Sequence, residues 1–399
     1  SKINDKYIYI PGALPEEIVR IKIIKVTKKY CIGEIITILK QSNNRKYHLS
    51  NLGSLNLMHL NFKKQLQWQK EITENTLSRA LKQNINCHNT ITDNNEYHYR
   101  NKVVFHVLEN ENLTLGLYIR NSKQITKVNN FILANKKVNE IITKINEANI
   151  KVDYNALKHI MFKNNSQDEI LITLISFKEQ FKGLNELTTF LTNNFKLAGI
   201  TLNIKQYNEV ILGEKSIILA GKNYLKENNL YITDKSFMQV NFNVMNLTYN
   251  LINQYITGNV IVDAYSGIGS IGFSIKDNNK IIYMIENNKE NINLANKIKE
   301  ETNNNNQYYI KHANAEDVIK NYNCNTLIID PPRMGLYESF INEILKKNIE
   351  RVIYLSCHLQ TLTRDLKLLQ EKYSINSVYP IKMFPQTNSF ETLVILDLK

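Results

Sequence analysis

Val260-Ile261-Val262-Asp263-Ala264-Tyr265-Ser266-Gly267-Ile268-Gly269-Ser270-Ile271-Gly272 is the stretch that decides the fold. An apolar strand runs into a turn whose glycines let the backbone bend sharply and approach a ligand closely. Outward from it, Lys280–Ile285 reads as a second strand ending in Glu286, and Lys289–Glu301 as a helix. Tyr308-Tyr309-Ile310, Thr326-Leu327-Ile328-Ile329-Asp330, Arg351–Ser356 and a late Leu393–Leu398 are further strands, and Val244–Ile256 is a helix before them. Continuous apolar strands alternating with helices predict an α/β domain whose parallel sheet is covered on both faces. Ligands of such sheets bind at the carboxyl ends of the strands, where the unusual residues cluster.

Gly267, Gly269 and Gly272 satisfy G-x-G-x-x-G, and Glu286 lies 21 residues after Tyr265, where a carboxylate suits a ribose diol. A nicotinamide enzyme is one reading. An acidic residue before the first glycine leans instead toward S-adenosylmethionine, which brings no pyrophosphate to the helix N-terminus.

Three more constellations follow. Asp330-Pro331-Pro332-Arg333-Met334-Gly335-Leu336 fixes an extended, rigid strand exit. Tyr354-Leu355-Ser356-Cys357-His358 puts a thiol between a strand and a helix, where the helix N-terminus is expected to lower its pKa. Met383-Phe384-Pro385-Gln386-Thr387-Asn388-Ser389-Phe390-Glu391-Thr392 sets a carboxylate before the final strand. Cys31, Cys87 and Cys324 have no such setting, and no spacing of the four cysteines signals a zinc site or a disulfide framework.

The 399 residues predict two or three domains. With 43% hydrophobic residues the chain can bury a core, which excludes global disorder. No stretch is long and apolar enough for a membrane span, and Ser1–Asp5 shows no leader, so a reducing cytoplasm is expected. A net charge of +13 favours polyanionic partners, although an AT-rich coding bias toward Lys would raise it equally. Residues 1–41 alternate as short strands and hold eight Lys/Arg against four Asp/Glu, which predicts a small OB-like barrel. Residues 42–62 are irregular. Phe62–Lys82 is helical with Leu66, Trp68, Ile72, Leu77 and Leu81 as its apolar positions, and Gln83–Glu96 is a polar loop. Residues 97–230 mix strands (Val103–Val107, Leu113–Tyr118, Ile170–Phe177) with helices (Ile141–Ile150, Leu187–Phe195) as an α+β domain.

Together these motifs resemble the S-adenosylmethionine-dependent RNA (uracil-5-)methyltransferases. Phe237-Met238-Gln239-Val240-Asn241 resembles the family's F-Q-V-N element, and the Asp263, Asp330, Cys357 and Glu391 segments resemble its later motifs in order and spacing. Tyr99-Arg100-Asn101-Lys102 looks like its central-domain motif, and the N-terminal strands with Pro11-Gly12-Ala13-Leu14-Pro15 are similar to a TRAM domain. The resemblance implies a TRAM-like OB barrel (1–42), a linker and helix (43–96), a central α+β RNA-binding domain (97–230) and a Rossmann-like methyltransferase domain (231–399). It implies methylation of uridine C5 in RNA. The expected target is 23S rRNA, with the tRNA T-loop as alternative, and a monomer is expected. Cys357 would attack C6 and Glu391 remove the C5 proton. Gln239, Tyr265, Ser270, Glu286, Asn314 and Asp330 would hold S-adenosylmethionine. Phe237 would stack on the flipped base, and Arg100 and Lys102 would hold phosphates.

The chain departs from the family at His358-Leu359, Ser266, Ser389 and Phe390. In Asn51–Leu60 the cysteines that hold a [4Fe–4S] cluster in many relatives are Leu52 and Leu55, so no cluster and no metal are expected. Two rivals stand beside this reading. An NAD-linked oxidoreductase gives no role to Cys357 beside Asp330-Pro331-Pro332-Arg333. An RNA-binding assembly factor with a vestigial domain has no need of an intact Cys357 and Glu391.

Overall fold

The structure, a computed structural model, describes residues 2–3, 6–47, 49–207 and 209–399. Ser1, Asn4 and Asp5, part of the N-terminal stretch read as lacking a leader, lie outside the described residues. Strands β1 (Lys2–Ile3), β2 (Lys6–Tyr9), β3 (Ile18–Val26) and β4 (Tyr30–Lys40) form one sheet in the order β1-β2-β4-β3. The β3–β4 ladder shifts register three times, and such bulges bend and twist a strand pair. No ladder joins β1 to β3 among the described residues.

Helix α1 (Phe62–Leu81) starts where the Asn61 side chain accepts the Lys64 N–H. Its buried stripe is Gln65, Gln69, Thr73, Leu77 and Leu81. This corrects the apolar positions read from sequence: Leu66 and Trp68 are only half-buried and Ile72 is exposed. In the first half of that face Gln65 bonds the Leu57 and Leu60 carbonyls and Gln386, Thr73 bonds the Gln69 carbonyl, and the Gln69 amide is buried without a partner.

The central sheet contains β5 (Lys102–Val107), β6 (Leu115–Tyr118), β7 (Ile125–Lys127), β8 (Leu157–Asn164), β9 (Ile170–Ser176), β10 (Gly199–Ile204) and β11 (Lys215–Gly221), in the order β11-β10-β9-β8-β5-β6-β7. Helices α2 (Lys136–Glu147) and α3 (Leu184–Asn194) cover it around Phe105, Ile142, Phe162 and Leu187. The helix expected at Ile141–Ile150 thus begins five residues earlier, at a side-chain cap from Asn135. A hairpin follows, β12 (Tyr224–Glu227) and β13 (Leu230–Thr233). It straddles the boundary expected at 230/231, and its Leu225, Tyr231 and Ile232 pack with the C-terminal sheet.

The last sheet comprises β14 (Val260–Ala264), β15 (Ile281–Glu286), β16 (Gln307–His312), β17 (Thr326–Ile329), β18 (Arg351–Ser356), β19 (Tyr373–Ile381) and β20 (Glu391–Leu398), in the order β16-β15-β14-β17-β18-β20-β19. The first five run parallel. Strand β20 inserts antiparallel between β18 and β19, so the sheet is mixed rather than wholly parallel. Successive strands build outward from β14 in both directions, which makes its carboxyl end the switch point.

Helices α4 (Phe242–Gln254) and α5 (Lys289–Glu301) and the β12–β13 hairpin cover one face of this sheet. Helices α7 (Glu338–Lys346) and α8 (Leu359–Leu369), with α1, cover the other, after a single turn, α6 (Ala315–Val318). Leu77, Leu81, Ile85 and Cys87 share this second core with Phe340, Leu362 and Leu366. Burying such a Leu or Ile contributes about 1.5–3 kcal/mol. Among the described residues no helix is long and apolar enough to cross a membrane.

Candidate active site

Strand β14 leads into Tyr265, a non-glycine residue at φ +62. That left-handed turn aims Tyr265 sideways, where its Oη donates to Glu316 Oε1 at 2.5 Å. Gly267 also has positive φ, and a Cβ there would meet nothing within 4 Å, because the position faces an open cavity. Glu286, ending β15, closes the turn: its Oε2 accepts the Gly267 N–H at 2.9 Å and its Oε1 the Asn288 N–H at 2.8 Å. Asn314 immediately precedes α6, and its side chain is held between Asn287 and Asp317.

Tyr265, Gly267, Glu286, Asn314 and Glu316 line a cavity of about 600 Å³ with Phe237, a residue 63% exposed, and Asp330. Four carboxylates (Glu286, Glu316, Asp317, Asp330) and no Lys or Arg are among its lining residues. Asp330 follows β17 directly and sits half-buried in the cavity wall.

The second group lies at the same sheet edge. Ser356 pairs with Thr392 at the end of the antiparallel β18–β20 ladder, so Cys357 and Glu391 are the next residues in register. Cys357 is half-buried ahead of α8, and Glu391 is buried with Oε2 lacking any partner. The Gln239 side chain donates to the Glu391 carboxyl. Gln239 is itself fixed by its carbonyl, which accepts from Asn101 Nδ2 at 2.8 Å.

Burial raises the pKa of both Asp330 and Glu391, and the Asp330 charge adds to the effect on Glu391. The Cys357 thiol is pushed up by burial, then by Glu391 and Asp330, against a smaller opposing effect from Arg333. This corrects the lowered pKa expected from the helix N-terminus: desolvation and two nearby carboxyls outweigh it.

Not every residue singled out in the sequence lines the cavity: Gln239, Cys357 and Glu391 do not, nor do Ser270, Arg100 and Lys102. Ser270 is engaged by the Tyr249 hydroxyl at 3.0 Å and does not line the cavity. Arg100 donates from Nε to the Lys102 carbonyl. Lys102 is half-buried beside Lys163, and burial lowers its pKa. Leu55 packs in the central core, with Leu52 against it.

Asp263 was passed over as a site residue, though a lone acid inside an apolar strand was the signal. It is buried, its Oδ2 accepts the Gly272 N–H at 2.9 Å, and its Oδ1 has no partner. Burial, then Asp330 and Glu286, push its pKa up to about 8 from 3.8. The fold therefore favours the protonated form. That contribution is full below the ordinary carboxyl range and is lost as pH rises toward about 8. Asp263→Asn keeps an acceptor for Gly272 and has nothing to titrate. Its melting temperature is expected to fall less than the native chain's between about pH 5 and about pH 8. Equal slopes in a thermal-melt series would refute this.

The family described as tRNA (Uracil-5-)-methyltransferase matches residues 274–399, and the TRAM domain matches residues 2–36. An uncharacterized RNA methyltransferase of Fusobacterium nucleatum is 31% identical, over 99% of this chain and 92% of its own length. One from Staphylococcus aureus strain N315 is 30% identical, over 100% and 94%. Among solved structures, the Pyrococcus abyssi tRNA (uracil-54, C5)-methyltransferase in complex with S-adenosyl-L-homocysteine superposes with a TM-score of 0.80. It is 20% identical and covers 99% of this chain and 98% of that one, a likeness of fold. The chain belongs to the family of RNA methyltransferases that join a TRAM domain to a tRNA (uracil-5-)-methyltransferase domain.

Proposed function

We propose that the protein transfers a methyl group from S-adenosyl-L-methionine to C5 of a uridine in 23S rRNA, through a covalent adduct between Cys357 and C6. The observation that carries this reading is the shared register of Cys357 and Glu391, both within electrostatic reach of Asp330, which lines a carboxylate-walled cavity. A cavity with four acidic and no basic lining residues repels the pyrophosphate of a dinucleotide and favours a cation. The open space at Gly267 fits a ligand whose body needs room. Glu286 would take the ribose diol, Asn314 the adenine edge, and Tyr265, Gln239 and Asp330 the rest. Ser270, held by the Tyr249 hydroxyl, is the remaining proposed contact.

When bound, S-adenosyl-L-methionine supplies an electrophilic methyl on a sulfonium. Cys357, once deprotonated, adds its sulfur to C6, and the C5=C6 electron pair makes C5 nucleophilic toward that methyl. Glu391 then takes the C5 proton, the C–H pair restores C5=C6, and the C6–S bond breaks to release the Cys357 thiolate. Phe237 offers an exposed ring on which the flipped uracil can stack. Arg100 and Lys102 would hold the phosphates, each from a half-buried position. The division into four parts (1–42, 43–96, 97–230, 231–399) goes with this reading. No iron–sulfur cluster belongs to it, because a cluster needs thiolates where Leu52 and Leu55 stand.

The test is methyl transfer from labelled S-adenosyl-L-methionine to unmodified 23S rRNA and tRNA transcripts, with the product nucleoside mapped by mass. 5-Methyluridine in 23S rRNA is expected. Label confined to tRNA would move the target to the T-loop, and no label in either would overturn the proposal.

A further inference from the structure

Glu391 enters β20 from the 382–390 loop, and that loop is held by residues far upstream in the chain. The Leu57 N–H donates to the Gln386 carbonyl at 3.0 Å. Gln65 Nε2 donates to Gln386 Oε1 at 3.0 Å, and Gln65 Oε1 accepts the Gln386 N–H at 3.2 Å. Asn56 and Asn388 exchange a second reciprocal pair, at 2.9 and 2.7 Å. Tyr99 Oη donates to the Pro385 carbonyl at 3.0 Å. Trp68 meets Phe390, the residue before Glu391, edge-on at 6.0 Å.

Gln65 has no exposed surface, and its Nε2 also donates to the Leu57 and Leu60 carbonyls at 3.1 and 2.9 Å. Such a fully engaged buried amide is rigid, and losing it leaves several polar groups unpaired. The other end of the same helix, Leu77 and Leu81, packs in one core with Leu362, Leu366 and Leu369 of α8, the helix that follows Cys357. One rigid element therefore touches both the loop before Glu391 and the helix behind Cys357.

We infer that α1 is a strut that sets the separation of Glu391 from Cys357, with Gln65 and Trp68 as its positioning residues. The inference rests on the proposed roles of those two groups, and its test separates the two claims. Gln65→Met keeps the volume and removes the hydrogen bonds. Trp68→Leu removes only the edge contact, on a half-buried position, and is the second variant should Gln65→Met fold poorly. Each is compared, as the full chain, with the native protein and with Glu391→Gln.

The first readout needs no RNA: alkylation of Cys357 by iodoacetamide against pH, followed by mass on its peptide. The groups that face this thiol electrostatically are Glu391, Asp330 and Arg333. Moving Glu391 away is expected to shift the profile to lower pH. The second readout is methylation of a mixture of 23S rRNA and tRNA transcripts. Turnover is expected to fall about tenfold with KM for RNA little changed, and methylated protein–RNA adduct is expected to accumulate. A cooperatively melting Gln65→Met or Trp68→Leu protein with the native alkylation profile and native turnover overturns the strut. If Glu391→Gln holds no adduct, the base assignment fails, and the alkylation profile still decides the role of α1.

Discussion

Cys357→Ala is expected to abolish methyl transfer and the denaturant-resistant protein–RNA adduct while leaving S-adenosylhomocysteine binding intact. Uracil C5 is a weak nucleophile, and on the proposed reading nothing but sulfur addition at C6 activates it. Removing a covalent nucleophile costs about 10⁴-fold or more in turnover. The side chain is half-buried at the strand end and packs in none of the hydrophobic cores, so the fold should survive. Titration calorimetry with S-adenosylhomocysteine, beside a methyl-incorporation assay, checks both halves. Methylation by the alanine variant would remove the adduct from the mechanism. The raised thiol pKa adds a detail. Cys357 rests protonated, opposed by Glu391 and Asp330. A cation in the carboxylate-walled cavity offsets that opposition, so the thiol should alkylate faster once S-adenosyl-L-methionine is bound.

Glu391→Gln is expected to trap the methylated adduct. The amide is isosteric and can still bond the Gln239 side chain, but it cannot take a proton from C5. Addition and methyl transfer then proceed, and release slows by about 10²–10⁴-fold. Intact-mass analysis should find protein, RNA and one added methyl in a single species. Product release at the native rate would take Glu391 out of the base role.

The parallel half of the C-terminal sheet was legible because strands buried on both faces read as unbroken apolar runs, as in Thr326–Ile329. The placement of Asp330 and Cys357 just past the ends of β17 and β18 was legible from the apolar runs before them. Strand β20 was harder. A run such as Leu393–Leu398 reads the same whether it pairs parallel or antiparallel, so its direction, and with it the meeting of Glu391 and Cys357, came only with the ladder. The buried face of α1 misled for another reason. Gln65 has no exposed surface although it is polar, and a reading based on hydrophobic period passes over a side chain whose burial rests on hydrogen bonds. The thiol failed in sign because a helix end is visible in sequence and the dry, acidic surroundings are not.

Strand β20 follows every other strand of its sheet in the chain, yet it lies inside that sheet. During synthesis β18 and β19 must wait as two open edges for a partner still being made. Unpaired edges invite mispairing, and the longer the wait the greater the hazard. The same order brings the proposed proton acceptor last: until β20 arrives, the thiol has no carboxylate across from it, and the machinery for releasing a methylated product is incomplete.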